Sequence, residues 1–288
     1  MITQFLTFLQ KNKNYSANTL RAYEKDLRGC AAWMRENLPN ARWSTIAHND
    51  IDAWVAALVD DGLAPASVSR HVSSLRSFYN YLLGRGLVTS NPARFTSSPK
   101  VPRRLPYLVE LSAINNALGS NSVSLTTKVQ IALFAETGIR LQECLDLTTA
   151  DIDRAARSLR IAGKGAKQRT VFYGNTTERL FDLFIPADYV GRLFVQTQRE
   201  VRFYIYNALR PYSKASQLSP HALRHTYACE MLNNGADIKV LSTLLGHESV
   251  QTTEIYAQVC DLRRAATYQS CAPSLAPAAT PLPLAFAS

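Results

Sequence analysis

The chain has 288 residues, 47% of them hydrophobic, enough for one large domain or two of ordinary size with real cores. Lys and Arg number 32 against 22 Asp and Glu, a net charge of +10 that favours a polyanionic partner, with nucleic acid the first candidate. The five cysteines form no CxxC pair and are odd in number, which argues against a disulfide framework or a zinc knuckle.

The first residues, MITQFLTFLQKNKN, lack the basic start and long apolar run of a signal peptide, so a cytoplasmic protein is expected. Apolar runs such as VQIALFA fall far short of the ~20 residues that span a bilayer, and no membrane association is expected. Up to about Gly86 the apolar pattern predicts four helices. The first carries Phe5, Leu6, Phe8 and Leu9. The second follows a capping region at Ser16, with Leu20, Tyr23, Leu27, Ala31 and Met34 on one stripe. The third starts near Asn49-Asp50 and ends at Gly62, and the fourth begins at Pro65. A polar face on the fourth helix, with Arg70, Ser73, Ser74 and Arg76, mixes short hydroxyls with guanidiniums. Such a face suits a sugar-phosphate backbone, and equally suits an ordinary solvated surface.

Residues 1–90 are thus read as a helical domain. Residues 91–106 are read as a Pro/Ser-rich basic linker in which Lys100, Arg103 and Arg104 offer charge to a duplex. A second domain is placed at 107–270. Helices are predicted over 108–118 and 126–136, followed by a turn at Gly138 and by Arg140 at a helix start. The run RSLRIAGKGAKQRTVFY reads as a hairpin of strands 158–162 and 169–173. Lys164 and Lys167 make its tip basic and Arg169 opens its second strand; the spacing is not that of a nucleoside triphosphate loop. Further helices are predicted near 178–184 and over 198–209, with 191–195 a short strand. The Ala/Pro-rich residues 271–288 are expected to be disordered.

The stretch from Ser219 to Tyr256 reads as three short helices. Ser219 caps the first with Pro220 inside it, Asp237 caps the second, Gly246 ends the second, and Tyr256 lies on the third. His221, Arg224, His247 and Tyr256 come within reach of one another, side chains suited to binding and attacking a phosphodiester without a metal. His221 and His225 have the spacing of a zinc pair, but no third ligand follows, so neither metal nor cofactor is expected.

In order, TGIRLQE, GKGAKQR, HALRH, LLGH and TTEIY resemble the box motifs of tyrosine recombinases of the Xer and phage-integrase type. The distances agree too: Arg224 follows His221 by 3 residues, His247 follows Arg224 by 23, and Tyr256 follows by 9 more. The departures are Gln258, where the family often has histidine, a shorter segment between the hairpin and His221 without the usual helix entry, and an Ala/Pro tail after 268 in place of a longer C-terminal helix. The resemblance implies a mainly α fold with a small β-sheet, in which a helical core-binding domain and a mixed α/β catalytic domain form a C-shaped clamp on DNA. It implies Arg140, Lys164, His221, Arg224, His247 and Tyr256 as the catalytic set, with Glu143 a structural acid beside the first arginine. Tyr256 would attack to give a 3′-phosphotyrosyl intermediate, with His221 the base candidate, Lys164 protonating the 5′ oxygen and His247 on the phosphate. Double-stranded DNA carrying a specific site is the implied partner. The implied assembly is a homotetramer, or a heterotetramer with a related recombinase. A type IB topoisomerase or a catalytically silent DNA-binding regulator on the same fold would share much of this pattern.

Overall fold

A computed structural model describes residues 1–13, 15–38, 40–100, 106–163 and 168–246, together with Thr253, Ile255 and Tyr256. Lys164, Lys167, His247, Arg103, Arg104 and the tail from 271 lie outside the described residues. The chain divides into two compact units, Met1–Arg103 and Arg104–Ser288. It is mainly α-helical, with one three-stranded sheet among the described residues.

The first unit holds α1 (Ile2–Lys13), α2 (Ala17–Asn37), α3 (His48–Asp60) and α4 (Pro65–Gly84). Their starts follow from local chemistry. Ser16 Oγ accepts the Thr19 N–H at 3.2 Å, the Asp50 carboxylate accepts the Ala47 N–H at 2.8 Å, and Pro65 opens α4 where a missing N–H costs nothing. α4 packs against each of the other three helices, and the fully buried Phe5, Leu27, Ile51, Trp54, Leu75 and Phe78 fill the space between them. Burying each such side chain contributes about 1.5–3 kcal/mol. Phe78 also receives Phe5 and Trp43 edge-on, at centroid distances of 5.3 and 5.0 Å.

Because α4 is covered on three sides, its buried surface is wider than its apolar stripe, and the expected DNA-facing side is divided. Ser74 is fully buried and donates to the His71 carbonyl at 2.9 Å, so it is an interior residue and not part of an exposed face. Asp26 is also fully buried, paired with Arg70 and 3.4 Å from the His71 ring. Burial pushes the His71 ring down from its usual pKa, against the pull of Asp26. Ser73 stays exposed. Arg76 is turned inward: its Nε donates to the Ala93 carbonyl at 3.0 Å and its Nη2 to that of Thr96.

That last contact redraws the expected linker. Asn91 donates to the Arg76 carbonyl at 3.1 Å and to Asn80 Oδ1 at 2.8 Å, and Ala93 and Thr96 are buried. Residues 91–96 are therefore part of the helical unit, stitched to α4, where the sequence suggested a free tether. Lys100 is exposed.

The second unit holds α5 (Leu111–Gly119), α6 (Leu125–Thr137), α7 (Leu141–Asp146), β1 (Ile152–Asp153), β2 (Ser158–Ala162), β3 (Gln168–Phe172), α8 (Asn175–Phe184), α9 (Gln198–Leu209), α10 (Pro220–Asn233) and α11 (Ile238–Leu245). The strands form an antiparallel sheet in the order β1-β2-β3, with Leu159 opposite Val171. α6 packs against α5, α8, α9 and α10, and it buries residues all round its circumference, as a central helix must. The strand expected at 191–195 is reduced to one bridge between Thr148 and Arg192. No described helix is long and apolar enough to cross a membrane.

All three tryptophans, Trp33, Trp43 and Trp54, lie in the first unit, so their fluorescence reports its unfolding selectively. Arg76→Ala should lower urea stability read this way by about 1.5–3 kcal/mol, the usual loss for hydrogen bonds from a charged group. Lys100→Ala should leave it unchanged.

Candidate active site

The site is assembled where two helices end. α6 stops at Gly138, whose left-handed φ of 62° lets the chain turn sharply into α7. A Cβ there would collide with the Tyr227 ring of α10, so the residue type is fixed by backbone and packing together. α11 stops at Gly246, also left-handed, at φ 64°. A helix end leaves carbonyls without partners in its last turn. In α11 three arginines from separate elements take three successive ones. Arg169 of β3 donates to Leu244 O at 2.8 Å, Arg224 of α10 to Leu245 O at 2.7 Å, and Arg140, the cap of α7, to Gly246 O at 2.7 Å.

Arg224 is 2% exposed and donates also to Gly138 O. Its guanidinium thus lies between the negative ends of α6 and α11, a placement that offsets part of the cost of burying a charge. Burial, and secondarily Arg140, lowers its pKa to about 10, which leaves it protonated at neutral pH. Arg140 keeps its side chain 43% exposed and open to an incoming anion.

Glu143 organises the pair behind these cations. One carboxylate oxygen accepts from Arg140 Nη1 at 2.9 Å and Arg169 Nη1 at 2.8 Å. The other accepts from the Arg140 backbone N–H and from Arg169 Nη2, both at 2.7 Å. Burial acts to raise the carboxyl pKa, but the Arg169 and Arg140 bonds outweigh it and hold the group near about 2. Arg169, expected as a DNA contact, is instead largely buried as the bidentate partner of Glu143. A Cβ on Gly246 would meet its Nη1 at 2.9 Å, so the tight turn also makes room for this arginine.

α10 begins as the sequence predicts, with Ser219 Oγ accepting the Ala222 N–H at 3.2 Å. His221, Arg224 and His225 share its active-site side. Loss of surrounding water, then Arg224 and Arg140, lowers the His221 pKa, so its ring is neutral at pH 7. Its ring packs edge-on against His225 with centroids 4.3 Å apart. Tyr256 is helical and 2% exposed; burial raises its phenol pKa, while Arg224 works to lower it and donates a hydrogen bond to it. The nitrogen found 3.0 Å from the phenol oxygen is Nδ1 of His225. This departs from the expectation that placed His221 there. The i, i+4 spacing that suggested a zinc pair instead brings His225 to the tyrosine, and no group of three metal-ligating side chains gathers among the described residues. Arg140, His221, Arg224 and Tyr256 are brought together.

Two family models match. The phage integrase family covers residues 107–263, and the phage integrase N-terminal SAM-like domain covers residues 2–86. Tyrosine recombinase XerC of Halalkalibacterium halodurans is 31% identical over 93% of this chain and 96% of its own length. Tyrosine recombinase XerD of Oceanobacillus iheyensis is 28% identical over 93% of this chain and 97% of its own. Among solved structures, the Tn1549 transposon integrase in complex with transposon right end DNA has the same fold. Its TM-score is 0.72 at 18% identity, over 94% of this chain and 99% of that one.

Glu143 yields a pH prediction. Folding lowers its pKa below an unfolded value near ~4.3, so its stabilisation is complete above about pH 5 and is lost as the pH falls toward about 2. Glu143→Gln should destabilise the second unit by on the order of 3 kcal/mol at pH 7. Acid titration of the two proteins' stability should show that gap narrowing below about pH 5 and closing as the pH approaches 2.

Proposed function

The chain belongs to the phage integrase family, and from its site we propose how it breaks and rejoins DNA: Tyr256 attacks a phosphodiester held by Arg140 and Arg224. It is a site-specific recombinase of the tyrosine type. The observation that carries the residue assignment is the contact of the Tyr256 phenol with Arg224, whose guanidinium shares the end of α11 with that of Arg140.

Attack on a phosphodiester builds a dianionic transition state, which fixed donors in a water-poor pocket stabilise most. Arg140 and Arg224 supply paired N–H groups for the nonbridging oxygens. Neutral His221, beside them, exchanges a hydrogen bond with the phosphate. Lys164 and His247, placed by the sequence motif, complete the set: Lys164 protonates the departing 5′ oxygen and His247 bonds the phosphate. The resulting phosphotyrosyl ester conserves the energy of the broken bond, so rejoining needs no nucleotide hydrolysis.

The DNA partner follows from the family and from the basic surplus of the chain. Strand exchange between two duplexes uses four active sites, so the working assembly is a tetramer, of this chain alone or with a related recombinase, acting in the cytoplasm where DNA is at hand. Lys100, Arg103, Arg104 and Lys167 contribute phosphate contacts.

Tyr256→Phe should bind a nicked duplex, selected from a randomised pool by covalent capture on the wild-type protein, and form no adduct. An adduct from the variant would overturn the nucleophile assignment. Affinity should fall steeply with salt, as phosphate contacts require. Solution mass on paired sites should give four protomers; recombination by a monomer would refute the tetramer.

A further inference from the structure

Among the described residues, two polar side chains of opposite character meet the Tyr256 phenol. The Arg224 guanidinium carries only donors and directs one at the phenol oxygen. His225 Nδ1 lies 3.0 Å from that oxygen. A phenol in this sheltered place keeps its proton, and of these two neighbours only an unprotonated Nδ1 can receive it. Nδ1 can accept it when the His225 ring hydrogen is on Nε2.

We propose that His225 is the base of the reaction, receiving the Tyr256 proton on Nδ1 as the phenol oxygen attacks phosphorus. The inference rests on Tyr256 being the nucleophile and adds a residue to that reading. In the step the tyrosine Oη–P bond forms and the P–O5′ bond breaks, its electron pair leaving with O5′. The phenol proton passes to Nδ1, giving imidazolium, and O5′ takes a proton from Lys164. Rejoining reverses each transfer, so no other reactant is consumed.

His221 is less suited to this task. Burial first, and then Arg224 and Arg140, weaken its ring as a base. It lies against His225 rather than between His225 and the phenol, since both rings meet edge-on and the 3.0 Å contact belongs to Nδ1 of His225. Successive residues on α10 point about 100° apart, so Arg224 and His225 reach the same oxygen from adjacent sides.

The test uses the captured nicked duplex in two forms, with the normal 5′ oxygen and with sulfur in its place, a leaving group that needs no acid. His225→Phe keeps the ring volume, and His225→Asn keeps a polar group near Nδ1 that cannot take a proton. Both should slow adduct formation by about 10²- to 10⁴-fold with DNA affinity retained, the usual effect of losing a general base. The sulfur substrate should restore Lys164→Ala and not the His225 variants, and only the wild type should keep an acidic limb in its rate profile. Rescue of His225→Phe by sulfur, or wild-type rates in it, would overturn the proposal. An adduct formed by Tyr256→Phe would instead overturn the nucleophile assignment beneath it. Should His225→Phe not fold, nitrogen NMR of the wild-type protein decides: protonated Nδ1 at neutral pH overturns the assignment, and protonated Nε2 with bare Nδ1 supports it.

Discussion

The second unit depends on how one helix ends. The last carbonyls of α11 have no partner within the helix, and instead of water they receive three guanidiniums in succession, from Arg169, Arg224 and Arg140. Each arginine comes from a different element, so β3, α10 and the start of α7 converge on a single point. The arrangement solves two problems at once. Arg224 can be buried because two helix ends supply its acceptors, and the positive groups needed around a phosphate are fixed before any phosphate arrives.

Three guanidiniums against the one carboxylate of Glu143 leave the cluster with excess positive charge. Arg224 registers this excess: burial first, and Arg140 second, loosen its hold on its proton. A bound phosphodiester would relieve it. The charge imbalance is therefore a store of binding free energy aimed at an anion, and the same field adds to burial in lowering the His221 pKa.

Much of this was legible in sequence where the governing rule is local. Ser16, Ser219, Asp237, Pro65, Gly138 and Gly246 mark helix ends by side-chain chemistry or by backbone freedom, and each element boundary they suggest lies where the structure has it. The two longer strands were legible from alternation, whereas β1, with two residues, is too short to show any period. Other features depend on contacts between distant residues and left no local trace. Ser74 looked like surface because serine is polar, yet α4 is enclosed on that side. Arg76 and the stretch 91–96 looked like a basic face and a tether, because hydrogen bonds across 17 and 20 residues have no pattern in sequence. Arg169 and His225 are the instructive pair. The first read as a DNA contact and the second as a histidine with the spacing of a zinc pair but no third ligand, and their partners, 26 and 31 residues away, gave them other work.

The shared helix end also bears on how damage to this protein would look from outside. α11 is held in place by Leu241 and Leu245, fully buried and remote in character from phosphate chemistry. Shrinking either would let the helix end drift and would displace three arginines together. In a screen for inactive variants, such apolar positions would therefore be scored beside the polar ones, and a genetic map of the active site would be larger than the set of atoms that touch DNA.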